Sequence, residues 1–169
     1  MPARQESCCF TGHRPAKLPW GYNESDPRCV RLKKRIADAV LLAYQEGYRH
    51  FLCGMAQGCD LYFCEAVLAL RERYPEVTVE AAIPCPTQAD AWPEAERRRY
   101  RELVAKCDME TMVSDTYSSA CMQRRDSYMV DHAMLLIAAF DGTAGGTRYT
   151  VEYALRRGIE IFDVSIPVE

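Results

Sequence analysis

The chain has 169 residues, and its 21 basic and 24 acidic side chains leave a net charge of −3. That length makes one domain spanning 1–169, with no room for a separate catalytic module. The acidic balance excludes a protein whose main work is gripping nucleic-acid backbone in bulk, and 49% hydrophobic with 27% charged residues excludes a disordered chain.

Residues 7–10 form a short apolar strand, ended by Thr11-Gly12-His13-Arg14-Pro15. Residues 26–47 carry Leu32, Ile36, Ala39 and Ala43 on one helical face, and Gly47 stops that helix. Residues 50–53 make the second strand, which runs into Gly54 and Gly58. A helix follows to about residue 74, and Pro75 closes it. Residues 77–83 form the third strand, ended by Pro84-Cys85-Pro86. Pro93 opens a highly charged, solvent-facing helix over 94–106, and 109–113 form the fourth strand. A weakly amphipathic helix covers 118–131. Residues 134–140 are apolar on both faces, as a central parallel strand must be. A loop over 141–146, a helix over 147–157 ended by Gly158, and a strand over 160–164 complete the chain. Strands alternating with helices predict an α/β fold: a single Rossmann-like three-layer α/β/α sandwich with a mostly parallel sheet. The longest apolar run, 133–140, is far below the ~18 residues of a membrane helix. Residues 1–7 have no apolar signal core. A cytoplasmic protein with no membrane partner is expected.

Ligands of such sheets bind beyond the carboxyl ends of the strands, so the strand-to-helix loops hold the candidate site. In the first loop, Gly12 permits close backbone approach, Thr11 offers a hydroxyl, Arg14 suits a bidentate phosphate contact and His13 suits phosphate donation or acid–base work. In the second loop, Gly54 and Gly58 let backbone N–H groups face an anion at a helix N-terminus. Asp60 sits where it either caps the helix or accepts from a ribose hydroxyl. In the third loop, Gly145 and Gly146 precede a helix opened by Thr147. Arg124 and Arg125 lie on the helix before the fifth strand, within reach of the same cleft. Trp20 and Tyr22 either stack on a base or plug the core, and His50 and His132 read as structural.

Nine cysteines are unusual for this length. None has CxxC spacing, no Cys/His metal pattern is present, and no metal is expected. Most read as reduced thiols used as small hydrophobes. Cys53, Cys59 and Cys64 are close enough in sequence to converge on one site. Cys59, at a helix N-terminus, is the best candidate for a thiol of lowered pKa.

The stretch Phe10-Thr-Gly-His-Arg-Pro15, the glycines 54 and 58 with Asp60, and Leu136-Ile-Ala-Ala-Phe-Asp-Gly142 followed by Gly145-Gly146-Thr147 resemble the YpsA-like family. That family belongs to the SLOG superfamily, which also holds DprA and the LOG proteins. The resemblance runs from Cys8 to about Phe162. It implies a pocket for a nucleotide or nucleotide-derived molecule such as ADP-ribose or NAD, lined by Gly12, His13, Arg14, Gly54, Gly58, Asp60, Gly145, Gly146 and Thr147, with no required cofactor. It implies ligand sensing in bacterial stress or cell division, read out by an unnamed protein partner. SLOG relatives often dimerise, and 118–129 offers a weakly polar face for a homodimer.

Two alternatives accompany that reading. LOG enzymes cleave the N-glycosidic bond of nucleoside monophosphates, using an arginine and a Gly-Gly-x-Gly-Thr-x-x-Glu motif. Arg125 matches the arginine, but Tyr149 and Thr150 stand where the carboxylate is expected, so Glu152 or Asp60 would have to replace it. A DprA-like single-strand DNA binder is disfavoured by the net charge, although Arg97, Arg98, Arg99 and Arg101 form a local basic stretch.

Overall fold

The structure is a computed structural model and describes residues 2–169. In chain order it runs β1 (Ser7–Gly12), α1 (Pro27–Gln45), β2 (His50–Cys53), α2 (Cys59–Arg73), β3 (Thr78–Ile83), α3 (Glu94–Lys106), β4 (Met109–Met112), α4 (Cys121–Asp131), β5 (Leu135–Ala139), α5 (Gly146–Arg157) and β6 (Glu160–Val164). All six strands pair in parallel, in the order β4-β3-β2-β1-β5-β6. The expected alternation is therefore present, and the sheet is wholly parallel.

The order in which the chain adds strands reverses once. From β1 the chain steps outward to β4, then returns to the other side of β1 for β5 and β6. Right-handed crossovers put helices of the outward run on one face and those of the return on the other. Accordingly α2 neighbours both α1 and α3, and α4 neighbours α5.

The strands alternate strictly between two cores. Cys8, Phe10, Phe51, Cys53, Ile137 and Ala139 face the α1–α2 side, while Cys9, Leu52, Ala82, Leu136 and Ala138 face the α4–α5 side. Phe10 is fully buried and stacks on Phe63 of α2 with ring centroids 4.5 Å apart. Burying one such side chain contributes about 1.5–3 kcal/mol. Asp26 caps α1 by accepting the Arg28 N–H at 2.8 Å, with Pro27 in the first turn.

Two boundaries differ from the sequence expectation in ways that matter. β1 continues two residues further, through Thr11 and Gly12, because these pair with Ala138 and Ala139 of β5. Two of the five residues from Thr11 to Pro15 are thus strand. α4 starts at Cys121, three residues later than the helical period suggests. The highly charged α3 is solvent-facing as expected, with only Leu103 buried. Among the described residues, no helix is long and apolar enough to cross a membrane.

Candidate functional site

A cavity of about 250 Å³ opens at the carboxyl ends of β1 and β5, the point where strand order reverses. Its walls include Thr11, Gly12, His13 and Arg14 from β1 and its loop, Asp60 and Ala56 from the second loop, Arg125, Asp126 and Met129 from α4, and Gly146 and Thr147 from the start of α5. Eight of the eleven candidate ligand residues read from sequence therefore meet in one place.

The other three, Gly54, Gly58 and Gly145, stand behind the wall. A Cβ on Gly54 would lie 2.7 Å from Nη1 of Arg125, so this glycine makes room for the guanidinium. Gly58 has φ +83°, and a Cβ there would lie 2.8 Å from the His13 carbonyl oxygen. It lets the first two loops pack against each other. Gly145 precedes α5 and sits against Lys17. The first two glycines let Arg125 and the β1 loop pack closely against the second loop.

Arg125 is 3% exposed. Its Nη1 donates to the Gly54 carbonyl and, at 3.3 Å, to Gln88 Oε1. Its Nε donates to Asp126 at 2.6 Å. It is fixed in the wall and does not swing over the cleft. Arg124 lies elsewhere, in a shallow groove on α4 with Tyr149. Glu152 is half-exposed, pairs with Arg148 at 3.0 Å and is not among the cavity residues. This removes it as the replacement for a LOG-type carboxylate.

Asp60 is 6% exposed and accepts the Ala56 N–H at 3.0 Å. Burial pushes its carboxyl up to about 6, against the pull of Arg125 and the Ala56 N–H, with Asp126 adding to the rise. His13 is buried, and its Nε2 lies 2.8 Å from Asp141 Oδ1. With Nε2–H donating to that carboxylate, the buried Nδ1 is left without a partner. Bonds from Thr143 first, then His13, hold the Asp141 carboxyl well below the usual carboxylate range. Lys17 donates to the Ala144 carbonyl. These two contacts clamp the β5–α5 loop to the β1 loop. Arg14 is exposed, and its Nη2 meets Met122 Sδ at 3.6 Å.

Lys17 and Asp126 are site residues that the sequence reading missed. Asp126 had a usable signal, since it follows Arg125 and lies three residues before Met129 on the same helix. Lys17 had none, because a short 3₁₀ turn at Pro15–Lys17 carries it back over the cavity.

The cysteines are buried core residues except the half-buried Cys107. Cys59 shows no lowered pKa. Burial, with Asp60 beside it, pushes its thiol well above the ordinary range and overrides the helix N-terminus. Cys53, Cys59 and Cys64 are free thiols buried in the same core, where the Cys53 Sγ donates to the Asp60 carbonyl at 3.1 Å and the half-buried Cys107 donates to the Leu103 carbonyl at 3.3 Å. Trp20 is buried and plugs the core, whereas Tyr22 is exposed and bonds Gln57 at 3.1 Å. His50 bonds Thr78 and Glu80, and His132 bonds the Tyr128 carbonyl, so both are structural as expected.

Two solved structures share this architecture. DNA processing protein A (DprA) from Streptococcus pneumoniae superposes with a TM-score of 0.62 at 16% identity, over 94% of this chain and 50% of that one. The Helicobacter pylori protein, described for its single-stranded DNA binding mode, gives 0.63 at 12% identity, over 95% and 65%. The chain thus spans about half to two thirds of the DprA chains, and its class is the Rossmann-like α/β domain found within them. The family model YpsA, described as the YspA SLOG family, matches residues 8–160, and the chain belongs to that family. It is 27% identical over 143 residues to the uncharacterized SPbeta prophage-derived protein YoqJ of Bacillus subtilis strain 168, covering 76% of this chain and 83% of YoqJ.

Proposed function

We propose that the cavity binds a nucleotide or nucleotide-derived small molecule, its phosphate held by Arg14, Lys17 and the first turn of α5. One observation carries this reading. The β1 and β5 loops close a single cavity at the strand-order reversal, and among the described residues neither Arg14 nor Lys17 has a carboxylate partner. Uncommitted cations beside a helix N-terminus supply charge, donors and dipole for an anion. Membership of a SLOG family supports a role involving nucleotides.

A small ligand is favoured over nucleic acid. Three of the four arginines of α3 that would offer a basic stripe are already paired: Arg97 and Arg101 with Glu94, Arg99 with Glu24 and Glu65. Glu152 is absent from the cavity, so LOG-type cleavage, the second reading, would have to rest on Asp60.

Isothermal titration of the wild type with ADP-ribose, NAD and AMP tests the reading. At least one is expected to bind, and Arg14→Ala to weaken it about 10-fold or more, the effect of losing a charge-assisted hydrogen bond. No heat from any of the three at millimolar concentration would overturn it. A single-stranded oligonucleotide binding more tightly than all three would favour the DNA reading instead.

A further inference from the structure

The wall of the cavity that carries Asp60 and Asp126 has no role in holding phosphate. Asp60 spends one oxygen on the Ala56 N–H, and Asp126 one on the Arg125 Nε. Their second oxygens have no protein partner among the described residues, although Asp60 is 6% exposed and both carboxylates border the cavity. These free oxygens are not sealed inside the protein, so they are open to a donor on any molecule that enters the cavity.

Carboxylates accept hydrogen bonds and repel phosphate, so the part of the ligand that reaches them must carry donors. An ammonium group and a set of hydroxyls both qualify. Charge decides between them. Arg125 pairs with Asp126, and Arg125 and Arg14 both draw on Asp60, so the two carboxylates are balanced by two guanidinium groups and leave no excess negative charge for a cation. Neutral hydroxyls match it. The remaining lining beside them, Phe10, Ala56 and Met129, is apolar and suits the ring carbons of a sugar or base.

Building on the phosphate reading above, we infer that Asp60 and Asp126 read the ribose hydroxyls of a 5′-phosphorylated ribonucleoside and make the site selective for ribo- over deoxyribonucleotides. The two carboxylates are then specificity determinants at one end of the cavity, and Arg14 with Lys17 anchors the other end. Deoxy sugars lack the donors this wall requires and leave its oxygens unpaired. That penalty is the general reason hydrogen-bonding sites reject analogues lacking a hydroxyl.

Titration of the full chain with AMP, 2′-deoxy-AMP, 2′,3′-dideoxy-AMP and inorganic phosphate tests this. The wild type is expected to prefer AMP to dideoxy-AMP by about 10-fold or more. Asp60→Asn and Asp126→Ala should each shrink that ratio, whatever they do to the affinity for either compound alone. Equal binding of AMP and dideoxy-AMP by the wild type would overturn the inference and leave the phosphate reading standing. No binding of any of the four would overturn both. Where a variant fails to fold, the wild-type ratio alone decides.

Discussion

Arg125 occupies the space that a side chain at Gly54 would need: a Cβ there would lie 2.7 Å from Nη1 and 2.8 Å from Cζ. The guanidinium is buried and already bonded to the Gly54 carbonyl, so it has nowhere to retreat. Gly54→Ala is therefore expected to destabilise the fold by about 1–3 kcal/mol, the usual cost of overpacking. At this chain length that is a fall of several degrees in Tm, at about 2–4 °C per kcal/mol. Calorimetry checks it, and an unchanged Tm would show that Arg125 is free to move.

Asp60 makes stability depend on pH in an unusual direction. Its carboxyl rises from an ordinary 3.8 to about 6 on folding, chiefly through burial. Between those values the folded chain keeps a proton that the unfolded chain has lost, so its contribution to stability falls as pH rises. Above about 6 the penalty is constant, at most about 3 kcal/mol for a two-unit shift. Asp60→Asn should remove it: the variant gains stability over wild type at pH 7 and loses that advantage at pH 4. Urea unfolding at both pH values decides, and a pH-independent difference would refute the assignment.

The Asp141 carboxylate organises the β5–α5 loop by accepting from Thr143 and His13. It is substantially exposed, so Asp141→Ala should cost under about 1 kcal/mol of global stability. Locally the effect should be larger, with faster hydrogen exchange at the Thr143 amide and weaker ligand binding. Exchange indistinguishable from wild type would mean the loop is held by other contacts.

Thiol chemistry separates burial from helix position. Cys59 stands at the N-terminus of α2 yet is fully buried, and Cys107 is half-buried. Brief iodoacetamide treatment of the native protein at neutral pH should modify Cys107 at most, with the rest labelled only after unfolding. Mass-spectrometric detection of native labelling at Cys59 would contradict the packing described.

The order of elements was legible because β1, β2, β3 and β5 are mostly short apolar runs and the helices between strands carry polar residues. The site was legible in outline, since the strand-to-helix loops carry its residues. What escaped notice lies in contacts between segments far apart in sequence. Thr11 and Gly12 look like loop until β5 pairs with them. Gly54 and Gly58 read as a phosphate-binding pair, and only the fold shows that Arg125 and the His13 backbone pack against them. Glu152 sits at a plausible offset in sequence, yet its side chain lies on the exposed side of α5, with Arg148.

The reversal of strand order also bears on how the molecule assembles. His13 and Asp141, which meet across the cavity mouth, are 128 positions apart in the chain. The cavity therefore has high contact order: it comes into being only after β5 has docked beside β1, when nearly the whole polypeptide is committed. A molecule bound there would be absent from every earlier folding stage. By mass action it would stabilise the completed fold alone, and it would slow unfolding by tying the first strand to the fifth.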